Sequence, residues 1–114
     1  MKLVKAFVHH VRAPEVVQAL ADAGYRNITL QNVMGMLKPI TDSEQTFSSE
    51  AGGLVISEVR LSLVCEDADV NAVTAIIRWA ARVGTQISGW VYVSPVEQAL
   101  PIGGEPIDEP HLKP

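Results

Sequence analysis

The side chains able to do chemistry are sparse in this sequence of 114 residues. For a metal site the candidates are the adjacent pair His9 and His10 and the distant His111. Neighbours on an extended strand point to opposite faces, so His9 and His10 are expected to diverge, and no metal ligands are assigned. The single cysteine, Cys65, cannot form an internal disulfide or a multi-cysteine metal site. It closes the apolar run 59–65 and reads as a small buried hydrophobe. Neither Cys65 nor any serine has a recognisable base and orienting partner, and no G-x-S-x-G sequence occurs. The acids Glu66, Asp67 and Asp69 suit a helix N-terminus better than a catalytic carboxylate pair. No catalytic residue follows, and the chain is expected not to be an enzyme. Phosphate-binding glycine motifs of the G-x-G-x-x-G and P-loop types are absent. What remains is Gly84-Thr85-Gln86-Ile87-Ser88-Gly89, a glycine-bounded segment that is either an ordinary turn or a nest of amides for an anion.

The elements that must carry these residues form a pattern read twice. Residues 2–8 alternate, with Val4, Ala6 and Val8 on one face and Leu3, Lys5 and Phe7 on the other. Residues 14–23 place Val16, Val17, Leu20 and Ala21 at helical spacing, with Pro14 in the first turn and Gly24 after the last. A strand returns over 28–33. In the second half, Val59, Leu61, Leu63 and Cys65 alternate with Glu58, Arg60, Ser62 and Val64. A helix follows, with Val70, Val73, Ile77 and Ala80 as its apolar stripe and Arg78 and Arg82 suiting its C-terminal dipole; Gly84 is expected to end it. Residues 90–94 (WVYVS) close the pattern as a strand.

Two βαβ units of this kind predict an α+β, ferredoxin-like βαββαβ sandwich: four antiparallel strands with two helices on one face. Residues 1–100 form one domain, and the prolines and glycines of 101–114 exclude regular structure there. The stretch 37–56 is rich in Ser, Thr, Gly, Pro and acids without sustained period, and structureless connections beyond about 12–15 residues are usually functional or disordered. Strands one and four offer apolar groups to both faces. The helix-free face therefore needs a cover, and self-association into a closed ring supplies one.

Composition narrows the function further. Hydrophobic residues are 47% of the chain and aromatics 5%, so Val, Ile, Leu and Ala must build the core. A formal net charge of −4 and a pI near 5.2 offer no attraction to nucleic acid or an anionic membrane. No run approaches the roughly 20 apolar residues of a membrane span, and the first ten residues lack a signal-peptide pattern. A cytoplasmic location is expected, with no membrane insertion.

Read in order, these residues resemble the PII family of signalling proteins over about residues 1–98. The opening MKLVKAFVHHVRAPEVVQALADAGYRNITLQNVMG is similar to the family's first βαβ unit, up to Gly35 before its T-loop. GTQISGWVYVSPVEQA resembles the family's B-loop and following strand, sharing Gly84, Gly89, Val93, Ser94, Pro95 and Val96. The resemblance implies a homotrimer with an adenine nucleotide in each inter-subunit cleft, and a T-loop, about 37–56 here, that contacts a target transporter or enzyme. By position it implies that Ile28 and Thr29 face the adenine and that Val64 lines the cleft. Gly35, Met36, Leu37 and Lys38 would form the T-loop base, and Ser88, Gly89 and Trp90 would approach ribose and phosphates. Arg60 is the remaining nearby cation.

The departures carry as much weight. The family's B-loop lysine is replaced by Trp90, and its two C-terminal arginines fall at Pro101 and Gly103. The T-loop glycine and glutamine fall at Leu37 and Pro39, and the lysine at the T-loop's end falls at Glu58. The connection holds no tyrosine to be modified, although Ser49 stands where some relatives carry a modified serine. These losses resemble divergent PII-like proteins associated with bicarbonate transport or carboxysomes. They imply AMP or ADP as effectors favoured over ATP, with bicarbonate as a candidate co-ligand and no resident cofactor. The alternative is a trimeric ferredoxin-like protein that binds a metal or small anion without nucleotide.

Overall fold

The computed structural model describes residues 1–35, 42–48, 50, 52–104 and 108–110. Five strands, β1 (Lys2–His9), β2 (Thr29–Gly35), β3 (Thr46–Ser48), β4 (Gly53–Cys65) and β5 (Trp90–Pro95), and two helices, α1 (Ala13–Asp22) and α2 (Val70–Ala80), make up the fold. The main sheet runs β2-β4-β1-β5, all pairs antiparallel, with β3 added to β4 outside that path. This is the expected ferredoxin-like α+β arrangement, with one strand more than the four expected.

Alternation decides which face each strand residue takes. Val4, Ala6 and Val8 pair with Leu63, Leu61 and Val59, and all six are buried with Val16 and Leu20 of α1 and Val73 and Ile77 of α2 in one core. Fully burying a Val, Leu or Ile side chain among them contributes about 1.5–3 kcal/mol. Both helices therefore lie on the same side. α1 stops as its sequence demands: Gly24 adopts φ +96°, its amide donates to Ala21, and the Tyr25 amide donates to Leu20, the two bonds of a Schellman cap. The start of the second helical segment is tighter than an α-helix, a 3-10 turn at Asp67–Asp69, and α2 ends at Ala80, short of Gly84. Two polar contacts tie the helices down at opposite ends. Arg12 donates through Nε to the Ala80 carbonyl at 3.0 Å, and the Tyr25 hydroxyl donates to Asp69 at 3.2 Å.

The stretch 37–56 is not without strands. A 3-10 turn at Asp42–Glu44 leads to β3, which pairs Thr46, Phe47 and Ser48 with Val55, Leu54 and Gly53. Gly52 sits at φ +70° and its amide donates to the Ser48 carbonyl at 2.8 Å. Three residues are too few to show a period, and Phe47 and Leu54, opposite one another, are both exposed, so no buried stripe marked this pairing. Among the described residues of 101–114 there is no helix or strand, and no helix among the described residues is long and apolar enough to cross a membrane.

Candidate functional site

The helix-free face is a grid of cross-strand rows. One row is Gln31, Arg60, Phe7 and Trp90, in consecutive register across β2, β4, β1 and β5. The next is Thr29, Ser62, Lys5 and Tyr92, and beyond it Val64, Leu3 and Ser94. Residues directly opposite on antiparallel strands share a face. Four of the residues singled out in the sequence, Thr29, Arg60, Val64 and Trp90, thus stand on this one surface. Arg60 donates to the Gln31 side-chain oxygen, which holds its guanidinium over the sheet, and Phe7 meets Tyr92 edge-on with ring centroids 6.1 Å apart. Trp90, Tyr92 and Val64 are large apolar groups left exposed on this surface.

The glycine-bounded segment 84–89 hangs at the β5 edge of the same row. Gly84 takes φ +62°, and the Ser88 hydroxyl accepts from the Val83 amide at 3.1 Å, closing the turn. A Cβ at Gly89 would overlap the carbonyl oxygen of Phe7, so only glycine fits there. Ser88, Gly89 and Trp90 line a cavity of about 540 Å³ that also reaches Ile77 and Arg78 of α2 and Arg82 just beyond its end. The two arginines, expected to serve only the helix dipole, are thus cations beside this cavity. Arg82 stacks 3.5 Å over the Trp79 ring and donates to the Trp79 carbonyl.

Not every expected residue joins this surface. Ile28 precedes β2 and packs half-buried against the core, while Thr29 beside it is exposed. Gly35 ends β2 opposite Ile56, and a Cβ there would overlap the Glu58 carboxylate. Met36, Leu37 and Lys38, with Pro39, Ser49 and His111, lie outside the described residues.

The expectation that His9 and His10 diverge is overturned. β1 ends at His9 and the chain tightens into a 3-10 turn from His10 to Arg12, so strand alternation no longer governs the pair. Their rings stack at 4.5 Å between centroids. His9 is buried, with Nε2 at 2.5 Å from the Glu44 carboxylate, and its Nδ1 accepts from the Val11 amide at 3.2 Å. His10 is exposed, with Nδ1 at 3.0 Å from the Ser57 carbonyl. Because an amide only donates and a carbonyl only accepts, neutral His9 carries its proton on Nε2, directed at Glu44, whereas His10 carries one on Nδ1.

A family model described as nitrogen regulatory protein P-II matches residues 1–105. The nitrogen regulatory protein P-II of Microchaete diplosiphon is 32% identical over 102 residues, 90% of this chain and 91% of the relative. That of Porphyra purpurea is 28% identical over the same length. The nitrogen fixation nifHD region glnB-like protein 1 of Methanococcus maripaludis is 32% identical over 103 residues, covering 90% of this chain and 93% of its own. A match spanning both βαβ units and the glycine-bounded segment, on a sheet with both helices to one side, leaves one conclusion: the chain belongs to the nitrogen regulatory protein P-II family, whose members are signalling regulators and not enzymes.

Proposed function

We propose that this chain is a PII-type regulator that binds an adenine nucleotide between the subunits of a homotrimer, favours AMP or ADP over ATP, and acts on a target transporter or enzyme through its T-loop. The observation that carries the reading is the Gln31–Arg60–Phe7–Trp90 row, with segment 84–89 at its edge. The row itself offers an aromatic surface and one guanidinium, Arg60, with Trp90 where the family resemblance implies a lysine; Arg78 and Arg82 stand on the helix side of segment 84–89. Charge-assisted hydrogen bonds contribute roughly 1.5–3 kcal/mol each, so a site lacking several cations loses most of the advantage a triphosphate would gain. Bicarbonate fits the anion space so vacated. The exposed apolar groups of the helix-free face support the trimer, since identical sheets can cover one another. A cytoplasmic location belongs to the same reading.

Titration calorimetry with AMP, ADP and Mg-ATP, each with and without bicarbonate, tests the proposal. AMP or ADP is expected to bind at least as tightly as Mg-ATP. A clear Mg-ATP preference would overturn the charge argument, and binding of none would overturn the nucleotide reading. Light scattering in dilute buffer tests the trimer, and a stable monomer would remove the inter-subunit site.

A further inference from the structure

We propose that His9, His10 and Glu44 form a site for one borderline divalent transition-metal ion per chain, with Zn²⁺ as its probe. One ligand atom from each residue lies within 4.8 Å of the other two. Two imidazoles and a carboxylate are a donor set suited to Zn²⁺, Co²⁺, Ni²⁺ or Cu²⁺ and ill-suited to Mg²⁺ or Ca²⁺, which take oxygen ligands. Three protein ligands leave a fourth position open to water.

His10 is already set for ligation. Its Nδ1–H donates to the Ser57 carbonyl, which leaves the Nε2 lone pair available, the orientation that backbone carbonyls commonly impose on metal-bound histidines. His9 is set for exchange: the proton between its Nε2 and Glu44 occupies the place an ion would take. Binding displaces that proton to solvent. The His9 ring then carries its hydrogen on Nδ1, and the hydrogen bond that Nδ1 now accepts from the Val11 amide is given up. Metal–nitrogen and metal–oxygen bonds of about 2.0–2.2 Å require the ligands to converge around the ion. Two of the three can move: His10 is exposed, and Glu44 stands on a 3-10 turn of three residues. The inference does not depend on nucleotide binding, because none of the three ligands lies on the Arg60–Trp90 row.

The test is Zn²⁺ titration of the whole chain without nucleotide, by calorimetry and by competition with a chromophoric chelator, with Co²⁺ as a visible-absorption probe. One ion per chain is expected. His10→Ala and Glu44→Gln should each weaken Zn²⁺ by about tenfold or more, while Glu50→Gln, an exposed acid outside the cluster, should not. His9 is buried and is left unmutated. The wild-type protein gives a readout that needs no variant: Zn²⁺ should shift the ring nitrogens of His9 and His10 together in heteronuclear NMR. Wild-type affinity in both ligand variants, or imidazole shifts confined to one of the pair, would overturn the site.

Discussion

The backbone of Gly89 crosses the carbonyl oxygen of Phe7 so closely that no side chain fits between them. This contact sets the height at which the segment 84–89 leaves β5, and with it the position of Ser88 over the cavity. Gly89→Ala must push two backbones apart. It should lower stability by about 1–3 kcal/mol, the usual cost of overpacking, read as a shift in the urea midpoint. An unchanged midpoint would mean that the segment is free to lift.

Ile77 is fully buried on α2, whereas Trp79 two residues on is largely exposed. Ile77→Ala should cost about 2–5 kcal/mol through lost burial and the cavity left behind. Trp79→Ala should cost under about 1 kcal/mol, the scale of an exposed cation–π contact. Comparable losses at the two positions would contradict the assignment of helix faces.

Arg12 reaches from the 3-10 turn after β1 to the last carbonyl of α2, a group with no partner inside the helix. Arg12→Ala should remove about 1–2 kcal/mol. Arg12→Lys should restore part of it, as the charge remains near the helix terminus. Amide exchange in the final turn of α2 should accelerate in Arg12→Ala before it does elsewhere.

Burial pushes the Cys65 thiol up, and the carboxylates of Asp69, Asp67 and Glu66 add to the rise while the N-terminal ammonium opposes it. Burial also raises the Tyr25 phenol, assisted by Asp69, to which it donates. A group whose native pKa exceeds its unfolded value contributes stability below the unfolded value and loses it as pH rises through the native one. Stability should therefore fall from about pH 8.5 upward, where the thiol of the unfolded chain begins to ionise and native Cys65 still resists, and again above about pH 10 for the Tyr25 phenol by the same argument. Cys65→Ala should flatten the first decline and Tyr25→Phe the second, measured as urea midpoints along the pH series. A wild-type midpoint that rises with alkali would reverse the sign of this argument.

The main sheet was legible because its signals are local and redundant. Val4, Ala6 and Val8 alternate over several residues, and Val59, Leu61, Leu63 and Cys65 repeat the pattern on the strand that pairs with them. The α1 stop at Gly24 was legible because positive φ there favours glycine. β3 was not, since three residues with an exposed Phe47 carry no period. The meeting of His9 with His10 and Glu44 depended on the chain leaving the extended conformation at His10, and on a residue 35 positions away. Arg78 and Arg82 were visible as charges, but what they face depends on how segment 84–89 folds back, which no spacing encodes.

β4 is a single strand of 13 residues that pairs first with β3, then with β2, then with β1. At about 3.3 Å per residue it runs some 40 Å without a joint. A push on the outlying β3 pairing therefore has no loop in which to dissipate on this side. It must twist a hydrogen-bonded strand whose far end lies in the core beneath both helices, so the strand is built as a stiff lever arm rather than a tether.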